Sequence, residues 1–155
     1  MNNLIKLNKI SKFFITSKRI NVLNKITYNF KKGKIYSLVG PSGSGKSTLL
    51  NILSMIDYPS SGELTIINNK IDSLDSSIND KIRAKKIGII YQEKNLLSDF
   101  TALENVYLAR LSLENEKNKA IEDATKILKK LGLSNRMYHY PSELSGGESQ
   151  RVAIA

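Results

Sequence analysis

The pattern of apolar and polar positions predicts several strands in the first part of the chain. Residues 35–39 and 87–91 are nearly continuous apolar runs, the pattern of strands that are buried on both faces. Looser alternation of apolar and polar residues predicts three further strands, at 4–9, 26–30 and 63–67. The segment 31–34, which contains lysines and a glycine, predicts a hairpin turn that leads into the strand at 35–39.

Apolar residues at helical spacing predict helices between and after these strands. One helix is expected over 46–56, and a short one over 81–85. Thr101 and Glu104 have the spacing of a capping box, which predicts a helix that runs to about Arg110. A further helix is expected over 116–131 and ends before Gly132. Its apolar positions form one stripe: Ala120, Ile121, Ala124, Ile127, Leu128 and Leu131.

This order of elements indicates an α/β fold with the whole of 1–155 in one domain. We expect a β-rich core at 1–92 and a helical subdomain at 93–143. The last segment, 144–155, carries a glycine-rich motif and the start of its helix. No heptad pattern is long enough for a coiled coil.

Composition narrows the function classes only slightly. The net charge is +10, but the basic residues are scattered and are not interleaved with aromatic residues, so we expect no nucleic-acid partner. The chain contains no cysteine, which excludes disulfides and thiolate metal sites. No apolar run approaches the roughly 20 residues of a membrane span.

A phosphate-binding loop follows the first apolar run. The segment fits the pattern G-x-x-x-x-G-K-[ST] and comprises Gly40, Pro41, Ser42, Gly43, Ser44, Gly45, Lys46, Ser47 and Thr48. Glycines allow backbone N–H groups to approach phosphate oxygens, and a helix that starts at Lys46 adds further N–H donors. We expect Lys46 to reach the β- and γ-phosphates of a nucleotide and the Ser47 hydroxyl to bind Mg²⁺.

A second glycine-rich helix start lies near the end of the chain. Ser145 and Glu148 have capping-box spacing, and Gly146 and Gly147 lie between them. Small residues at a helix N-terminus leave N–H groups accessible to an anion, so this is a second candidate phosphate site. The alternative is an ordinary cap before a core helix.

Two adjacent aromatic residues, Phe13 and Phe14, lie early in the chain after Lys12. They are expected either in the core or as a platform on which a flat ring stacks. From the residues alone, the core is favoured.

Taken together and in this order, the phosphate loop, Gln92 and the motif at 144–151 resemble the ATPase domain of ABC transporters. The resemblance extends over essentially the whole chain. It implies a P-loop NTPase core with an N-terminal antiparallel β part and a helical subdomain. It also implies that ATP is the ligand, that Ser47 and Gln92 bind Mg²⁺, and that Phe14, or alternatively Phe13, stacks on adenine.

The resemblance further implies a homodimer of ATPase domains. In this family, each phosphate loop faces the signature motif of the partner, so Ser145, Gly146, Gly147 and Glu148 would act on ATP that is bound by a second copy. One chain therefore carries two half-sites.

A narrower resemblance is carried by residues 91–106 together with 141–148 and 150–155. These segments are similar to the ATPase group of lipoprotein-releasing systems, with macrolide-exporter and FtsE-like ATPases as alternatives. Ser149 departs from the arginine that is usual after Glu148. The resemblance implies permease partners of the LolC/LolE type, which would bind the segment after Gln92 through Leu96, Leu97, Phe100 and Leu103. It places the protein peripherally, at the cytoplasmic face of the inner membrane.

Some family features are not found in the sequence. The Walker B strand that ends in Asp-Glu and the switch histidine would follow Ala155, so no catalytic residue is expected within this chain. His139 precedes the signature and is expected at the surface. We therefore expect an incomplete sequence whose full-length parent hydrolyses ATP, whereas these 155 residues alone are inactive.

Overall fold

The structure is a computed structural model that describes residues 3–73, 76–92, 95–111 and 116–155. The chain forms two compact units, Met1–Ile87 and Gly88–Ala155.

The first unit is built on a four-stranded antiparallel sheet. Its strands are β1 (Asn3–Ile15), β2 (Arg19–Lys31), β3 (Ser61–Ile66) and β4 (Asn69–Ile71), in the order β2-β1-β3-β4. The expected strands at 4–9 and 26–30 are parts of the longer β1 and β2. The register between these two strands shifts at several points, as at a β-bulge, which bends the hairpin.

Two helices complete the first unit: α1 (Lys46–Leu53) and α2 (Ser76–Lys86). α1 is three residues shorter than predicted, and α2 is longer than the expected 81–85. Leu49 and Ile52 of α1 pack with buried side chains of the sheet, including Leu23 of β2. Burial of a side chain of this size contributes about 1.5–3 kcal/mol. This packing fixes the start of α1, and hence the phosphate loop, against the sheet.

The second unit consists of helices. They are α3 (Ala102–Leu111), α4 (Lys117–Lys130) and α5 (Gly146–Ile154), with short 3-10 turns at Ser134–Arg136 and Pro141–Glu143. The predicted stripe of α4 is confirmed, because three of its members are buried and Gly132 follows with a φ of +73°. The core of this unit comprises Ala102, Leu103, Val106, Ala124, Leu128, Leu133, Met137 and Val152.

The prediction of buried strands at 35–39 and 87–91 is wrong for this structure. Neither segment is a strand, Ile35 is fully exposed, and Val39 and Ile90 are largely exposed. A strand that is buried on both faces needs hydrogen-bonded neighbours, and no described residue pairs with either segment. The turn expected at 31–34 is present, but it leads into irregular backbone.

Candidate nucleotide-binding site

Gly45 anchors the phosphate loop to the sheet. It precedes α1 with a φ of +85°. A Cβ at this position would lie 2.9 Å from Leu23 Cδ2 and 3.1 Å from both Val22 Cγ1 and the Val22 carbonyl oxygen. The position therefore requires glycine for two reasons: the left-handed conformation and the close approach of β2.

The N-terminus of α1 presents unused hydrogen-bond donors. The first bond of the helix runs from Leu49 N–H to the Gly45 carbonyl at 2.9 Å. The N–H groups of Lys46, Ser47 and Thr48 therefore have no partner within the helix. No acidic residue lies in the first turn of α1, so the positive end of the helix dipole is not offset. This end of the helix can receive an anion.

Lys46 extends back over the loop. Its ammonium donates to the carbonyls of Gly40 at 2.9 Å and Pro41 at 2.6 Å. The loop is also closed by a bond from Ser44 N–H to the Pro41 carbonyl at 3.3 Å. Two neutral carbonyl acceptors thus hold the amine beside the loop. Phosphate oxygens are charged and accept stronger hydrogen bonds, so a bound phosphate can take the place of these carbonyls.

A cavity of about 270 Å³ borders the loop. Among the described residues that line it there is no Asp, Glu or His. The lining residues are Leu23, Ile26, Leu38, Val39, Gly40, Pro41, Ser44, Gly45, Lys46 and Leu49.

The two expected Mg²⁺ ligands, Ser47 and Gln92, are both exposed. Neither side chain makes a hydrogen bond within the described part of the chain. A hydroxyl and an amide oxygen are hard donors that suit Mg²⁺. Ser47 belongs to the first unit and Gln92 to the second, and their joint binding of one ion stays a prediction.

The two phenylalanines lie on β1. Phe14 is 42% exposed, so the residue-based expectation that it is core is wrong. Phe13 is half-buried, and the guanidinium of Arg19 covers its ring at 3.9 Å from the centroid. The Lys12 ammonium lies 5.1 Å from the centroid of Phe14. Of the two rings, Phe14 is the more available for stacking.

The predicted capping box of the signature motif is present at the start of α5. Ser145 Oγ accepts a bond from Glu148 N–H at 3.3 Å, and Glu148 Oε2 accepts one from Ser145 N–H at 2.7 Å. Arg136 Nε donates to Glu148 Oε1 at 2.9 Å. The backbone bond from Ser145, together with the Arg136 bond, lowers the pKa of Glu148 to about 2.

The serine that replaces the usual arginine supports the same turn. Ser149 is buried, and its hydroxyl donates to the Ser145 carbonyl at 3.0 Å. Sequence reasoning missed this contact as well as the Arg136–Glu148 pair. The i, i+4 spacing could have indicated the first contact, but no local pattern indicates the second.

The segment after Gln92 is only partly described, because Glu93 and Lys94 lie outside the described residues. Leu97 and Phe100 are exposed, whereas Leu103 is buried in the core and so cannot belong to a docking surface. Leu96 is half-buried and packs against that core. The exposed part of the candidate docking surface is therefore reduced to Leu97 and Phe100.

Asn105 holds this segment on α3. Its side chain accepts from Leu97 N–H at 2.7 Å and donates toward the carbonyls of Leu97, Phe100 and Thr101 at 3.1, 2.9 and 3.0 Å. The capping box predicted at the start of α3 is also confirmed by bonds between Thr101 and Glu104. These bonds fix the position of the segment relative to the helix.

His139 is half-buried rather than on the open surface, and its carbonyl accepts a bond from Ala102 N–H at 2.9 Å.

Within the described ranges, no helix is long and apolar enough to cross a membrane. The same residues contain no cluster of three or more His, Cys, Asp or Glu side chains that could hold a metal ion.

The chain is similar to ATP-binding proteins of ABC transporters over almost its whole length. The ABC transporter family model matches residues 23–155. The lipoprotein-releasing system ATP-binding protein LolD of Rickettsia felis is 46% identical over 99% of this chain and 68% of its own length. LolD of Wigglesworthia glossinidia brevipalpis is 44% identical over 100% of this chain and 69% of its own length.

A solved structure of the ATP-binding cassette MJ0796, a dimer in a post-hydrolysis state bound to ADP and Pi, superimposes with a TM-score of 0.86. It is 39% identical and matches 97% of this chain and 67% of its own. The fold class and the family expected from the motifs are thereby confirmed. The chain belongs to the ATP-binding family of ABC transporters, in the group of lipoprotein-releasing LolD proteins.

Proposed function

We propose that this chain is the nucleotide-binding part of a transporter that couples ATP hydrolysis to the release of outer-membrane-directed lipoproteins from the inner membrane. One observation carries the proposal. The same chain has a phosphate loop at the start of α1 and a glycine-rich N-terminus with a capping box at α5. The names of the relatives support the choice of cargo.

The phosphate loop binds the polyphosphate. The free N–H groups at the start of α1 hydrogen-bond to its oxygens, and the Lys46 ammonium moves from its two carbonyl acceptors to the phosphates. Ser47 and Gln92 hold Mg²⁺, which neutralises charge on the phosphates. The exposed ring of Phe14 stacks on the adenine.

A second copy of the chain completes the binding site of the γ-phosphate. Ser145 Oγ accepts a bond from Glu148 N–H, so its own proton remains available for donation to a phosphate oxygen. Gly146 and Gly147 add N–H groups at the positive end of α5. The dimeric state of MJ0796 with bound ADP and Pi supports the pairing of two copies.

These 155 residues bind ATP but do not hydrolyse it. The residues that the structure describes around the cavity at the phosphate loop include no carboxylate or imidazole that could orient or deprotonate a water molecule. In this family, the strand that ends in Asp-Glu would supply such a group for hydrolysis.

We assign ATP chemistry to 1–92 and 144–155, and contact with LolC/LolE-like permease subunits to the helical part, 93–143. Exposed Leu97 and Phe100, held in place by Asn105, support this contact surface. The protein thus lies at the cytoplasmic face of the inner membrane through its partners.

The test is reconstitution of the full-length protein with its permease subunits in proteoliposomes that carry an acylated lipoprotein. We expect ATP-dependent release, which Lys46→Ala abolishes. Leu97→Ala with Phe100→Ala should reduce recovery of the permease subunits, whereas Ile15→Ala, a change at an even more exposed apolar residue of the first unit, should not. ATP hydrolysis without lipoprotein release would contradict the assigned cargo.

A further inference from the structure

We propose that Arg136 is a positioning residue of the signature motif. Its positive charge neutralises Glu148, so this acidic side chain can cap the N-terminus of α5 although the same N-terminus receives a phosphate group. This inference rests on the proposed role of Ser145 in binding the γ-phosphate of the partner's ATP.

The chain has an electrostatic conflict at the start of α5. Glu148 lies in the first turn, where it satisfies the Ser145 N–H group. The same turn must accept the γ-phosphate, which is also negative. Two negative groups near one helix end repel each other, so an unpaired carboxylate here would oppose nucleotide binding.

Arg136 resolves this conflict. Its Nε donates to Glu148 Oε1 at 2.9 Å while the other carboxylate oxygen, Oε2, receives the Ser145 N–H at 2.7 Å. Each oxygen of Glu148 thus has its own donor, which fixes the carboxylate and cancels its charge. The Glu148 side chain is only 19% exposed, so water screens this pair less than a fully exposed one.

Arg136 is held on a fixed segment. Its N–H donates to the Leu133 carbonyl at 3.0 Å, and its carbonyl accepts from His139 N–H at 3.1 Å. Leu133 and Met137, on either side, are buried in the core of the second unit. The Met137 carbonyl in turn accepts from Leu103 N–H at 2.8 Å, which ties this segment to α3. The guanidinium therefore approaches Glu148 from a rigid support.

Glu148 has two roles that can be separated. The cap needs an acceptor for Ser145 N–H, which glutamine also provides, whereas the charge is needed only for the pair with Arg136. A glutamine at position 148 therefore removes the need for Arg136 but keeps the cap.

The experiment measures KM for ATP and kcat of the full-length protein with its permease subunits, for Arg136→Gln, Arg136→Lys and the double variant Arg136→Gln/Glu148→Gln. Arg110→Gln is the matched control, because Arg110 of α3 forms an ion pair with Asp123 of α4 in the same unit. Thermal unfolding of each variant reports on folding.

We expect Arg136→Gln to raise KM for ATP on the order of tenfold with a smaller change in kcat, and Arg136→Lys to raise it less. Addition of Glu148→Gln should restore KM to within about threefold of the wild type, and Arg110→Gln should leave it unchanged. A double variant as impaired as Arg136→Gln, or an Arg136→Gln with wild-type KM, would overturn the inference. Failure of the wild-type protein to hydrolyse ATP would instead overturn the proposed function.

Discussion

Substitution of Gly45 by alanine tests whether the phosphate loop is held by its contact with β2. The backbone at this position has a φ of +85°, which costs an L-residue about 1–2 kcal/mol. The added Cβ would also lie 2.9 Å from Leu23 Cδ2 and 3.1 Å from the Val22 carbonyl oxygen. The carbonyl belongs to the backbone of β2, so it cannot move without displacing the strand. Such crowding adds about 1–3 kcal/mol.

The expected total is therefore about 2–5 kcal/mol in the free energy of unfolding, together with weaker ATP binding. Gly43→Ala is the matched control within the loop, because its φ is +77° but a Cβ would meet no atom within 4 Å. It should cost only the conformational part, about 1–2 kcal/mol. Gly33→Ala, with a φ of +71° and open space, gives the same comparison in a turn outside the loop.

The assay is urea unfolding of the purified full-length protein followed by circular dichroism, with ATP affinity measured by titration calorimetry. The difference between Gly45→Ala and Gly43→Ala isolates the contact with β2, since both share the left-handed backbone. If the two variants unfold at the same urea concentration, the close approach to Val22 and Leu23 does not fix the loop, and the reasoning is refuted.

Three further predictions concern single side chains. The pKa of Glu148, measured by NMR, should be about 2, so its contribution to the stability of the α5 cap is complete above about pH 4.5 and is lost as the pH falls through 2. Arg136→Gln should raise this pKa, and an unchanged pKa would contradict the pairing. Phe14→Ala should weaken ATP binding roughly tenfold in calorimetry, consistent with the loss of one stacked base, and a larger effect from Phe13→Ala would reverse the assignment. Asn105→Ala should destabilise the protein by about 1–3 kcal/mol and speed hydrogen exchange at Leu97 N–H. An unchanged exchange rate at Leu97 would show that the Asn105 side chain does not hold the segment after Gln92 on α3.

Local features of the site could be predicted from the sequence because their causes lie within a few residues. The capping box of Ser145 and Glu148 depends on a spacing of three, and the structure forms both of its bonds. The stripe of α4 depends on helical periodicity and is buried as expected. In each case, the residues that decide the structure are neighbours along the chain.

Features that depend on distant partners could not be predicted. The apolar runs at 35–39 and 87–91 have the composition of strands, but strand formation also needs a hydrogen-bonded neighbour, which the described residues do not supply. Phe14 is exposed because of its place near the end of β1, which composition does not reveal. The bond between Arg136 and Glu148 joins residues twelve positions apart and exists only because the segment before α5 folds back.

The central claim, that one ATP is held between the phosphate loop of one copy and the signature of another, is tested most directly by mixing two variants of the full-length protein. Lys46→Ala removes the phosphate contact, and Ser145→Arg blocks the signature. A mixed dimer contains one site in which both parts are intact. In sedimentation velocity with ATP and Mg²⁺, we predict that neither variant dimerises alone and that a dimer forms in the equimolar mixture. A mixture that remains monomeric, or an ATP-dependent dimer of either variant alone, would contradict the composite site.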